Sequence, residues 1–135
     1  MRVSQLSTAA AVLLATAVAA GPALAERVTP GPVVDADWLA EHRGAVAVLD
    51  VRRDLDGFAK GHIAGAAPVG WGAVRTTRTI DGVERQKIRL DAASFQRLMR
   101  EAGVDAGEPL VITSPGTAAG QITTQARLYW QFAYY

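Results

Sequence analysis

AVAVLDV, Ala45–Val51, is an almost unbroken apolar run that closes on an acid, one residue short of its end, and is followed at once by Arg52 and Arg53. Strict alternation of apolar and polar residues would mark a strand with one wet face. A continuous apolar run bounded by charge marks a strand buried on both faces. Upstream, Trp38-Leu39-Ala40 starts a short helix with Asp35 or Asp37 as its N-cap. Downstream, Arg53 to Lys60 is mostly polar, with Leu55 and Phe58 spaced to share one helical face. In the next stretch, GHIAGAAPV (Gly61–Val69), two glycines punctuate a turn before a second short strand at Ala66–Val69.

Thr76 to Leu90 holds Asp81-Gly82 between two partly alternating arms, TTRTI and VERQKIRL, and predicts a hairpin with a tight turn. Asp91 then caps a helix over DAASFQRLMREAG, with Leu90 and Phe95 at staple positions and Gly103 just past its end. Glu108-Pro109 leads into VITSPGT, Val111–Thr117, read as a buried apolar strand running into a turn. From Ile122 the chain is helical again, with Ile122, Ala126, Tyr129, Trp130 and Ala133 on one stripe. Strands alternating with helices predict an α/β fold of three layers, a parallel sheet between helices. In such sheets the loops at the C-terminal ends of the strands gather at one edge, which brings Asp50, Arg52 and the Ser114 loop together.

The chain has 135 residues, half of them hydrophobic, which allows one globular domain with one core. Its first 25 residues have the make-up of a secretory signal peptide: Arg2, an apolar core from Ala9 to Ala20, and Ala23-Leu24-Ala25 as the cleavage site. The apolar run is shorter than the ~20 residues a membrane span needs, so no stable span is expected after cleavage and the product is periplasmic or secreted. Residues 26–33 form a linker and 34–135 the domain. Cleavage removes one charged residue, Arg2, and leaves 13 basic and 13 acidic side chains, a balance that gives no general attraction to nucleic acid. The chain has no cysteine, hence no disulfide, thiol chemistry or cysteine-based metal site. His42 and His62 stand twenty residues apart, without the pairing a zinc site uses. No metal or cofactor is implied.

LDVR (Leu49–Arg52), with GHIAGA (Gly61–Ala66) starting nine positions after Arg52, resembles the D-x-R and G-H-I-x-G-A signature of the rhodanese family of sulfurtransferases, and the likeness runs from about Val34 onward. On physical grounds Asp50 at a strand end can accept backbone N–H bonds, Arg52 can hold a carboxylate with two bonds, and His62 between glycines can fix the following turn. Asp50, Arg52, Gly61, His62 and Gly65 are therefore assigned to bracing loops. The resemblance implies that active members carry a cysteine after the strand that corresponds to PLVITS. That cysteine opens a C-x-x-x-x-R loop whose backbone amides cradle an anion and whose thiolate takes the outer sulfur of thiosulfate. Here Ser114 stands at the cysteine's position and Ala119 at the arginine's.

A serine hydroxyl does not ionise at neutral pH and cannot hold sulfur in an exchangeable S–S bond, so no catalytic residue is assigned. Ser114 as a hydrolase nucleophile with His62 as its base lacks a G-x-S-x-G elbow, and Pro115 follows it. Ser114, Gly116 and Thr117 stay as candidates for holding an anion, such as thiosulfate, through the start of the last helix, against a plain connecting loop. Some relatives of the resembled family carry two copies of the domain, the first without the cysteine, and ARLYWQF (Ala126–Phe132) resembles the aromatic helix of such first copies. The resemblance also implies a glycine turn and a D-G-G strand after Tyr135, so the domain is expected to be C-terminally incomplete, exposed in its apolar residues and prone to associate.

Two functions follow: the structural or regulatory half of an exported sulfurtransferase, with a cysteine-bearing second domain as partner, or a non-catalytic module that binds an anion or a protein. For the second, the hairpin supplies Arg75, Arg78, Arg85, Lys87 and Arg89 against Asp81 and Glu84. The alternative for that surplus is an ordinary solvated surface that also guards a strand edge. Phosphatases of rhodanese-like fold need the same missing cysteine and arginine.

Overall fold

Pairing on both sides makes β1 (Ala47–Arg52) the centre of a three-stranded parallel sheet in the order β2-β1-β5, with β2 at Ala67–Gly70 and β5 at Leu110–Thr113. The computed structural model describes residues 29–135; the expected signal peptide and the first residues of the linker lie outside the described residues. Leu49 pairs with Ala67 on one side and Ile112 on the other, and Asp50 with Pro68 and Thr113. Burial of β1 on both faces follows from its sequence, because successive side chains point to opposite faces. Leu49 and Val51 enter the larger core with Val69, Val74, Leu90, Phe95, Met99, Val104 and Leu128. Val48 enters a smaller one with Leu39 and Val46.

Helices flank this sheet. Asp35 caps α1 (Ala36–His42) by accepting from Trp38 N at 2.8 Å. The segment after β1 forms only a short α2 (Asp56–Lys60), entered through an Asp54 carboxylate that accepts from Asp56 N. β3 (Thr76–Ile80) and β4 (Val83–Ile88) make a separate antiparallel hairpin. Asp81 and Gly82 take φ of 52° and 75° in its turn, the left-handed pair that a two-residue hairpin loop requires. α3 (Ala92–Glu101) is capped by Asp91, which accepts from Ser94 N at 2.8 Å, and it ends before Gly103 at φ 77°. α4 (Ala119–Tyr134) packs on β1 and β5.

Two expectations change. β5 is half-buried along its whole length, because no strand pairs with its outer edge among the described residues. α4 is rotated from its expected apolar stripe: Ile122, Tyr129 and Trp130 are exposed, and the helix buries Thr124, Leu128 and Gln131 instead. Polar partners decide the rotation. Gln131 Nε2 donates to Val74 O at 2.7 Å, and its Oε1 accepts from Leu90 N at 3.3 Å, so one side chain joins both stems of the hairpin insertion. Thr124 Oγ1 donates to Gln121 O at 2.6 Å and lies 3.4 Å from Val51 O. Turning the helix to bury its aromatics would leave Val74 O and Leu90 N without their partner, at a cost of about 1–3 kcal/mol each.

Candidate functional site

The residues of LDVR and GHIAGA meet through one guanidinium. Arg52 Nε and Nη2 donate to the two oxygens of Asp50 at 2.9 and 2.7 Å, and Nη2 also donates to Gly61 O at 2.7 Å. The pair is buried, and among the described residues it is the one ion pair. Its hydrogen bonds with Asp50 hold Arg52 still more firmly in its charged form. Gly57 gives the guanidinium room, since a Cβ there would lie 3.4 Å from Arg52 Nη1. Phe58 lies under Arg52 at 5.6 Å, and His62 stacks on Phe58 with ring centroids 3.8 Å apart. His62 Nδ1 lies 2.8 Å from Phe58 O; a carbonyl only accepts, so Nδ1 carries the proton.

Two details differ from the sequence-based assignments. Asp50 receives its bonds from Arg52 rather than from the loop amides, because a buried carboxylate two residues away on the same strand face is the nearest partner a buried guanidinium has. His62 holds the end of α2 that precedes it, while the following turn is made by Gly65 at φ 80° and by Ala66 N donating to Ile63 O. Glycine at 65 therefore meets a backbone demand of its own.

Ser114 follows β5 beside the end of β1, where Thr113 pairs with Asp50. Its Oγ is buried and makes no hydrogen bond within the protein. Gly116 turns the chain at φ 72°. Thr117 donates both its N–H and its hydroxyl to Gln121 Oε1, at 2.7 and 2.9 Å, so neither donor is free for an anion. The N-cap of α4, Ala118, has no side chain to satisfy the first helical amides. A cleft of about 260 Å³ opens here, lined by Arg52, Arg53, Asp54, Gly57, Pro115 and Gln121, among others. Arg53 reaches over it, with Nη2 at 3.5 Å from Gly120 O and its guanidinium 5.9 Å from the Trp71 ring.

The edge thus joins a helix start, a buried unpartnered hydroxyl and an exposed arginine, with the Asp54 carboxylate lining the same cleft. Ser114 Oγ has no base within hydrogen-bond reach, and His62 is bonded to Phe58 O through Nδ1. Among the described residues no three His, Asp or Glu side chains gather as metal ligands, and no helix is long and apolar enough to cross a membrane. Sequence reasoning passed over Arg53, Gln121, Thr124 and Gln131. Only Arg53, adjacent to D-x-R, carries a signal in the sequence; the roles of the others depend on how α4 is turned. No family model, curated protein or solved structure matches the chain.

Proposed function

We propose that this chain is a rhodanese-like domain without its nucleophile, acting as the structural or regulatory half of an exported thiosulfate sulfurtransferase whose second domain bears the cysteine. The observation that carries this reading is the Arg52 brace. Its hydrogen bonds to Asp50 and to Gly61 O join the LDVR and GHIAGA segments into one unit, beside the loop that starts at Ser114. In the family's chemistry a thiolate attacks the outer sulfur of thiosulfate, the S–S bond breaks, sulfite leaves with the electron pair, and a persulfide remains. Cyanide then takes that sulfur as thiocyanate and returns the thiolate. Ser114 supplies no such thiolate, while the cleft with Arg53 and the α4 start suits the anionic donor.

The test uses the full chain and its Ser114→Cys variant, alone and with Ala119→Arg. After incubation with thiosulfate, the parent gains no mass, the cysteine variant gains one sulfur atom, and added cyanide removes it as thiocyanate. A cysteine at 114 that stays a plain thiol, with and without the arginine, refutes the reading. A second reading, a protein-binding module, is favoured by the charge on the hairpin.

A further inference from the structure

The β3–β4 hairpin has two chemically distinct faces. Arg78 stands directly across from Arg85, and Ile80 across from Val83. Opposed residues of an antiparallel pair share a face, and each face recurs at every second residue. One face therefore carries two arginines and two apolar side chains, of which Ile80 is 44% and Val83 51% exposed. The opposite face carries Thr79 across from Glu84, and Gln86 Nε2 donates to Glu84 Oε1 at 3.1 Å, which keeps that carboxylate away from the arginines. The remaining acid of the hairpin, Asp81, sits in the turn.

Like charges directly opposite one another destabilise a strand pair, and a two-stranded ribbon has little stability to spare. No ion pair contacts either arginine, since Arg52–Asp50 is the one ion pair among the described residues; Arg78 Nη2 donates to Arg89 O at 3.2 Å and its charge reaches Asp91, while Arg85 has no such neighbour among the hydrogen bonds of the described residues. Two more cations stand at the base. A bulge puts Lys87 at φ 58°, and Arg127 of α4 donates to Lys87 O at 3.0 Å. Arg89 donates to the hydroxyls of Tyr134 and Tyr135 and so is turned to the end of α4.

We infer that this face docks an acidic, extended segment of a partner protein, with carboxylates alternating with apolar side chains. The match is one of charge and of spacing. Cation and apolar residue alternate along each strand two positions apart, a repeat of roughly 6.5–7 Å that an extended partner chain reproduces. Asp81 at the tip, between Ile80 and Val83, sets a carboxylate where a bilayer-inserting hairpin would need apolar surface. The proposal goes beyond the sulfurtransferase reading and stands without it.

The experiment is fluorescence anisotropy of a labelled peptide of Glu-Ser-Val-Ser repeats titrated with the full chain, with a Lys-Ser-Val-Ser peptide as control. The acidic peptide binds, the basic one does not, and affinity falls as salt shortens the ~10 Å screening length. Arg78→Glu with Arg85→Glu weakens binding by about tenfold or more. Ile80→Ser with Val83→Ser weakens it at unchanged charge. Both double variants lie on an exposed hairpin and retain the parent's cooperative unfolding. Equal binding by the Arg78/Arg85 variant and the parent overturns the proposal, as does failure of the acidic peptide to bind. Preference for phosphatidylserine vesicles or a single-stranded oligonucleotide over the peptide also overturns it, in favour of a membrane or nucleic-acid surface.

Discussion

Asp50→Ala removes the acceptor of two of the three hydrogen bonds made by the Arg52 guanidinium and leaves the third, to Gly61 O. The side chains of Arg52 and Asp50 are 9% and 3% exposed, so the charge left behind has only the limited access to water that the cleft beside Arg52 gives it. Breaking a buried pair from one side costs about 3–5 kcal/mol. Asp54 also acts on Arg52 through its charge, which places this case near the lower end, at about 3 kcal/mol. For a domain of this size that lowers Tm by roughly 10 °C. Asp50→Leu with Arg52→Met removes both charges and recovers most of the loss, since an apolar pair of similar volume commonly replaces a buried ion pair without penalty. Urea unfolding followed by tryptophan fluorescence measures Asp50→Ala and, as a cycle, the parent, Asp50→Leu, Arg52→Met and their double variant. If the Asp50 variant loses less than about 1 kcal/mol, or the double variant loses as much as the two singles together, the brace is not what holds these loops.

Gln131→Leu keeps the volume of a fully buried side chain but strips Val74 O and Leu90 N of their partner, and is expected to cost about 2–4 kcal/mol in urea unfolding. A loss under about 0.5 kcal/mol would mean that α4 is not turned as described. Asp91 is held below the usual carboxylate value of 3.8 by the Ser94 amide it accepts from. The cap is therefore at full strength above that value and is lost as pH falls through the lower value of the folded state. An NMR titration of the Asp91 carboxyl reads this directly, and a midpoint at or above 3.8 contradicts it.

What was legible in the sequence was what one strand or turn decides by itself. The apolar run through Val51 placed a strand buried on both faces, Asp81-Gly82 placed a left-handed turn, and Asp91 with Gly103 bracketed α3, because each depends on local periodicity or on a single backbone demand. The rotation of α4 was not legible. Its sequence offers two faces, one rich in aromatics and one with Thr124, Leu128 and Gln131, and periodicity favours the aromatic one. The choice falls to the carbonyl of Val74 and the amide of Leu90, more than forty residues earlier in the chain, and hydropathy carries no record of backbone groups that need a partner. The same holds for Asp50, whose partner is set by which strand face Arg52 shares with it.

The buried polar side chains then separate into two kinds. Arg52 ties β1 to the loop before β2, Thr124 ties the turn of α4 that faces β1, and Gln131 ties α4 to both stems of the hairpin, so each of the three ends on a backbone group and holds elements in position. Ser114 does none of this: its hydroxyl is buried, bonded to nothing within the protein, and placed at the mouth of the only loop that joins β5 to the α4 start. A hydroxyl buried without a partner costs about 1–3 kcal/mol on the scale of protein mutational data, where a methyl group would cost nothing. Packing alone therefore gives no reason for serine at this position. The Ser114→Cys experiment thus tests what this position can hold rather than the fold.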